Sequence, residues 1–116
     1  MPASFKYLIK ISNLEEVLQT FADARDWQKF HTPKNLVMAL TGEVGELVEI
    51  FQWLTEDQSR QVADDPKTAQ AVRDELADVL IYLVRLASVL GVDLNEAIEM
   101  KLVKNALKYP AKNKTT

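Results

Sequence analysis

Near its middle the chain reads Glu43-Val44-Gly45-Glu46-Leu47-Val48-Glu49-Ile50-Phe51-Gln52-Trp53. Its acids recur every third residue within an otherwise apolar helical pattern. A helical projection places Glu43 and Glu46 on a flank of the apolar stripe, so they should point inward, whereas Glu49 should face water. An unpaired buried carboxylate is costly and normally pairs with a cation, takes a proton or binds a metal. The sequence therefore predicts an interior acidic site.

A second acidic pair, Glu75 and Asp78, lies in a segment that is apolar on nearly every side from Leu76 to Leu90. Their spacing puts both side chains on one helical face, which Tyr82 extends by one turn. A helix of this kind is buried in a core or between subunits. If the two acidic helices pack antiparallel, all four carboxylates converge, and their repulsion calls for a hard cation.

Composition excludes several classes of protein. The 116 residues suffice for one domain that would gain from association, and the absence of cysteine excludes disulfides and thiolate metal sites. A net charge of −3 with interspersed signs leaves no basic surface for nucleic acid. The N-terminus lacks a signal-peptide pattern, and the longest apolar run, Val79 to Val84, is too short to cross a membrane. These features predict a soluble, cytoplasmic protein without membrane or nucleic-acid partners.

Cap and breaker residues mark four helices, running from Asn13 to about Phe30, from Thr32-Pro33 to about Leu54, from Asp65-Pro66 to Gly91, and from Asp93 to just before Pro110. Capping boxes are expected at the first and last of these starts, and residues 55–65 are expected to form a surface loop. Short connections predict an all-α protein, a four-helix antiparallel bundle over residues 13–110. Residues 1–12 would form an N-terminal arm of undecided structure, and residues 111–116 a disordered basic tail.

The type of ligand atom narrows the choice of metal ion. Ligands that are all oxygen favour Mg²⁺, with Mn²⁺ as the alternative, and Mg²⁺ is usually held by carboxylates together with substrate phosphates. His31 is the single histidine, so the Glu-x-x-His pairs of a di-iron bundle are missing, as is a P-loop. A structural alternative remains, in which the acids pair with basic side chains such as Lys34, Arg73, Arg85 or Lys101.

From about Val17 to Pro110 the chain resembles MazG-like nucleoside triphosphate pyrophosphohydrolases. Their pattern of two glutamates at i and i+3, followed by Glu-x-x-Asp on the next helix, is matched by Glu43, Glu46, Glu75 and Asp78. The resemblance is to the dCTP pyrophosphatase branch through several further segments: Arg25-Asp26-Trp27, Phe30-His31, Pro33, Asn35-Leu36, Gly42 to Leu47, Phe51-Gln52-Trp53, Asp78 to Val84 and Tyr109-Pro110. Their order and spacing together make the match specific.

The resemblance implies hydrolysis between the α- and β-phosphates of a nucleotide, giving a monophosphate and pyrophosphate in house-cleaning of the nucleotide pool. It assigns catalysis and Mg²⁺ or Mn²⁺ binding to Glu43, Glu46, Glu75 and Asp78. The general base stays open between one of these four acids and Glu49 acting from outside the set of ligands. The resemblance further assigns two groups of ligand contacts: phosphate binding by Lys101, Asn105 and Tyr109, and base binding by Trp27, Trp53 and Tyr82. Aromatic faces suit the second role because they stack on nucleobases.

The substrate and assembly are expectations of the same kind. The resemblance implies a homotetramer built as a dimer of dimers, whose sites can combine residues from different chains. Leu18 stands where some animal members have a histidine beside the base pocket, which leaves the choice among dCTP, dATP, dUTP and methylated cytosine nucleotides open. Two alternatives also stay open: the same chemistry on another triphosphate or on phosphoribosyl-ATP, and a non-catalytic oligomeric regulatory module.

Overall fold

A computed structural model describes residues 10–112, which contain helices and no strand. The five helices are α1 (Ser12–Ala24), α2 (Pro33–Phe51), α3 (Glu56–Arg60), α4 (Ala69–Leu90) and α5 (Leu94–Lys108). The all-α prediction is confirmed, and the four long helices correspond to the four expected from sequence. Residues 1–9 of the predicted N-terminal arm and residues 113–116 of the predicted tail lie outside the described residues.

The pairing of α2 with α4 organises the fold, and α1 packs on the same long helix less extensively. The α2 and α4 helices are antiparallel, because Ala39 lies beside Tyr82 whereas Glu43, one turn further along α2, lies beside Asp78 and Glu75. Leu36 is almost completely buried, as is Val84 on α4. Both acidic segments therefore meet in one interface, as the sequence predicted.

The α1 helix differs from expectation at both ends. It begins at Ser12 after the buried residue Ile11, and no side chain of the described residues caps it, so the predicted capping box at Asn13 is wrong. It ends at Ala24 rather than near Phe30, because Asp26 adopts φ +55° and closes a Schellman motif. The Trp27 N–H then donates a 2.9 Å hydrogen bond to the Ala22 carbonyl oxygen, which turns the chain towards α4.

The connection between α2 and α4 is more ordered than predicted. Residues 55–65 were expected to be a loop, but Thr55 and Gln58 form a capping box that starts α3. Asp65 does not cap α4: its carboxylate accepts a 2.9 Å hydrogen bond from the Lys67 N–H in a turn, and the helix begins later, at Ala69. The predicted cap at Thr32, with Pro33 following, is confirmed, and so is Asp93 as an N-cap. At Asp93 the carboxylate accepts a hydrogen bond from the Glu96 N–H, which is one half of the predicted capping box.

A large apolar surface stays exposed around a small core. In residues 10–112 the buried apolar residues are Ile11, Ala22, Leu36, Val62, Val72, Val84 and Ala87. Exposed apolar side chains on α4 include Leu76, Leu80, Leu83 and Leu90. On α5, which has no extensive interface with another helix of the described chain, Met100, Val103 and Leu107 form an exposed stripe. None of the described helices has the length and hydropathy to span a membrane.

Candidate metal and nucleotide site

Three carboxylates meet across the α2–α4 interface. Glu43, Glu75 and Asp78 each offer an oxygen, and the three oxygens lie within 4.8 Å of one another. All three side chains are half-buried. The Oε2 atoms of Glu43 and Glu75 are buried and accept no hydrogen bond from the described residues. Convergent carboxylate oxygens without donors fit a hard divalent cation, for which oxygen is the preferred ligand.

The electrostatics of the cluster agree with its geometry. Loss of hydration, followed by the neighbouring carboxyl groups of Glu43 and Glu46, raises the pKa of Glu75 to about 7. Burial likewise raises the pKa of Glu43, and the charges of Glu46 and Asp78 act in the same direction. Without a cation, these acids therefore give up their protons less readily than ordinary carboxyl groups do.

The structural alternative, in which basic side chains neutralise the acids, is not seen. In residues 10–112 the ion pairs within 4 Å join Lys29 to Asp26 and Arg60 to Asp57, both on the surface. No lysine or arginine of this region thus pairs with the acidic cluster. The negative charge of the site remains available for a ligand.

Glu46 is placed differently from its three partners. The sequence predicted an inward orientation, but the side chain is exposed and does not join the set of mutually close oxygens. It still influences the pKa of both Glu43 and Glu75, so it lies at the edge of the site. The position follows from helix geometry, because α4 covers the Glu43 side of α2 and leaves the flank of Glu46 open.

An aromatic pocket opens directly beside the acids, between α1 and α4. Its cavity measures about 280 Å³, and its lining joins Asp78 to Leu18, Phe21, Ala22, Trp27, His31, Ile81, Tyr82 and Arg85. Phe21 and Trp27 pack edge to face with ring centroids 5.5 Å apart. Two residues predicted to bind the base, Trp27 and Tyr82, thus share one pocket with a candidate metal ligand.

A buried polar group closes this pocket. Arg85 is 4% exposed, its Nε–H donates a 3.0 Å hydrogen bond to His31 Nδ1, and its Nη1 donates one of 2.7 Å to Gln19 Oε1. Burial and the charge of Arg85 lower the pKa of His31, so the neutral ring can accept this bond. Sequence reasoning missed Arg85 as a pocket residue, although it follows Asp78 and Tyr82 at helical spacing on one face of α4.

The other predicted site residues are not gathered with these. Trp53 lies just beyond the end of α2 and is 87% exposed, and it does not line the pocket that Trp27 and Tyr82 share. Lys101, Asn105 and Tyr109 follow one face of α5 into its C-cap, and that helix has no extensive interface within residues 10–112. Their roles stay predictions.

The fold and the acidic site define an all-α protein with a carboxylate cluster between two antiparallel helices. Comparison with known proteins assigns the chain to a family. Residues 39–116 match the model of the MazG-like family. A pyrophosphatase from Archaeoglobus fulgidus is 43% identical, superposes with a TM-score of 0.80, and is matched over 87% of this chain and 93% of its own. The chain belongs to the MazG-like family, which confirms the resemblance seen in the sequence.

Curated relatives point the same way. The chain is similar to dCTP pyrophosphatase 1 of Bos taurus, with 42% identity over 94% of this chain and 64% of that protein. The Homo sapiens protein of the same name is 45% identical over 87% of this chain and 59% of its own length. The chain thus spans less than two thirds of the length of these relatives.

Proposed function

We propose that this protein is a Mg²⁺-dependent nucleotide pyrophosphohydrolase that cleaves a deoxynucleoside triphosphate, dCTP or a close relative, to a monophosphate and pyrophosphate. The observation that carries the proposal is the convergence of Glu43, Glu75 and Asp78 beside the aromatic pocket. Relatives named pyrophosphatases support it. House-cleaning of the nucleotide pool follows as the biological role.

In this proposal Glu43, Glu75 and Asp78 hold the cation, and Glu46 completes the set from the edge. When bound, Mg²⁺ would offset charge on the phosphate oxygens and lower the pKa of the attacking water. The two buried carboxylate oxygens supply ligand atoms that no donor of residues 10–112 occupies. Mn²⁺ has the same preference for oxygen and should substitute.

Other residues are proposed to bind the base and the phosphates of the substrate. Trp27 and Tyr82 flank the base in the pocket, and Lys101, Asn105 and Tyr109 contact the phosphates. Lys101 would act as a point charge, whereas the amide and phenol would give directional hydrogen bonds. Trp53 and the α5 residues would reach the site from a second copy of the chain.

We propose a homotetramer, a dimer of dimers, as the active assembly. The exposed apolar side chains of α4 and the stripe on α5 support association, since soluble monomers rarely leave such continuous patches uncovered. A helix that is apolar on nearly every side is buried in larger assemblies.

The test is pyrophosphate release from the common NTPs and dNTPs, measured with Mg²⁺ and with chelator. Wild type should release pyrophosphate only with the metal, and Asp78→Asn should lose about 100-fold or more, because removal of a ligand exceeds the effect of outer-shell changes. Glu56→Gln alters an exposed acid of α3, outside the site, and should retain activity. A folded oligomer that binds Mg²⁺ but cleaves no nucleotide would favour the regulatory module instead.

A further inference from the structure

The guanidinium of Arg85 has more N–H donors than the described residues accept. It lies in the wall of the aromatic pocket with five N–H groups, of which one on Nε and one on Nη1 are engaged by His31 and Gln19. Within residues 10–112, Nη2 donates no hydrogen bond to the protein, yet it is not among the fully enclosed polar atoms that lack a partner. Because Arg85 lines the cavity and this edge of the fork meets no acceptor among residues 10–112, it has N–H donors left for a ligand in the pocket.

Arg85 is also a buried cation without a counter-ion. It is 4% exposed, and no carboxylate of the described chain lies within 4 Å of it. Within the described part of the chain this desolvated charge meets a neutral imidazole and an amide, and it is costly unless further acceptors meet it. The pocket thus offers a strong directional donor to whatever enters it.

The position of Arg85 indicates which part of a nucleotide it would meet. It follows Asp78 by seven residues, which is about 10 Å along the helix at 1.5 Å per residue. The phosphates belong at the carboxylates, and the intervening lining is aromatic and aliphatic. The group beside Arg85 is therefore the base and not the triphosphate.

We propose that Arg85 selects cytosine among the pyrimidine bases of the substrate. Its remaining donors call for acceptors on the base, and cytosine carries two adjacent acceptors, N3 and O2, that match the guanidinium fork. Uracil and thymine carry an N3–H at the same place. A guanidinium N–H of Arg85 would then point at another N–H donor, and no hydrogen bond could form. Gln19 and His31 act as positioning residues, because their hydrogen bonds fix the plane of the guanidinium.

The proposal rests on the proposed function, and a change in the substrate tests it without altering the fold. We would compare kcat/KM of the full-length protein for dCTP, dUTP and 3-deaza-dCTP, in which a C–H replaces N3. A charged hydrogen bond predicts at least about a tenfold loss for 3-deaza-dCTP and a similar preference for dCTP over dUTP. Equal cleavage of dCTP and 3-deaza-dCTP would overturn the role of Arg85, whereas no cleavage of any nucleotide would overturn the proposed function instead.

A substitution of Arg85 tests the same hydrogen bond from the side of the protein. Arg85→Met keeps an unbranched apolar side chain and loses every donor, so it should cleave dCTP and 3-deaza-dCTP at similar rates. Arg60→Met, at an exposed arginine of α3, should keep the wild-type ratio. A tenfold ratio that persists in folded Arg85→Met would overturn the proposal, and the wild-type ratio decides the matter if that variant does not fold.

Discussion

Glu43 on α2 and Glu75 on α4 face each other across the helix interface, each with one buried carboxylate oxygen that no described residue satisfies. Two such groups at the centre of the main interface oppose folding unless a proton or a cation intervenes. The same pair therefore links stability to pH and to metal.

The first prediction concerns pH in the absence of metal. The pKa of Glu75 rises from its ordinary value of 4.5 to about 7 in the folded protein. Its stabilising contribution is therefore fully present below pH 4.5 and is lost as pH rises through 7. Thermal unfolding in chelator should show wild type losing stability relative to Glu75→Gln across this range. Parallel curves for the two proteins would contradict the coupling.

The second prediction concerns metal. Mg²⁺ binds only the folded site, so a hundred-fold excess over Kd should stabilise wild type by about 2.7 kcal/mol. Glu43→Gln and Asp78→Asn should lose this response while being as stable as wild type, or more so, in chelator, because repulsion falls. Thermal unfolding with and without Mg²⁺ measures both effects. Glu49→Gln serves as the matched control and should respond like wild type.

The third prediction concerns assembly. Leu107 is 81% exposed on the α5 stripe, so a charge there should disrupt association if the stripe forms an interface. Leu107→Glu should lower the mass measured by light scattering, with helical content by circular dichroism unchanged. Ala106→Glu introduces the same charge on the neighbouring side of α5 and should keep the wild-type mass. A monomeric wild type, or equal masses for both variants, would exclude the stripe as an interface.

The fourth prediction is that alanine in place of two glycines changes the stability in opposite directions. Gly91 ends α4 with φ +70°, where a side chain costs about 1–2 kcal/mol, so Gly91→Ala should destabilise the protein. Gly45 lies inside α2 with no atom near the position of an added Cβ, so Gly45→Ala should stabilise by about 0.8–1.0 kcal/mol. Urea unfolding of the two variants measures the opposite signs. Changes of the same sign would show that contacts other than backbone conformation dominate.

Sequence periodicity was sufficient for the helices and the acidic pairs because both depend on local spacing. Glu43, Glu75 and Asp78 meet as predicted, since an antiparallel pair brings two i, i+3 motifs together whatever the loops do. The predicted helix ends were less accurate where the backbone conformation of a single residue determines where the helix stops. The left-handed conformation of Asp26 ends α1 early, and Asp is a less direct signal for that conformation than glycine.

The rest of the site depends on long-range contact, which one sequence does not reveal. Arg85 and His31 are 54 positions apart, and their hydrogen bond exists because α1 and its turn pack on α4. The exposure of Glu46 likewise depends on which flank of α2 faces α4. Residues of α5 and Trp53 stay predictions, because their proposed partners belong to another copy.

The division of the site between α2 and α4 sets where the chain can change length. One extra residue between Leu36 and Glu43 would rotate the acid by about 100° relative to the buried leucine and remove it from Glu75 and Asp78. An insertion within exposed α3 leaves the register of both helices untouched. Insertions and deletions should therefore be tolerated at residues 56–60 and not between the core and the acids.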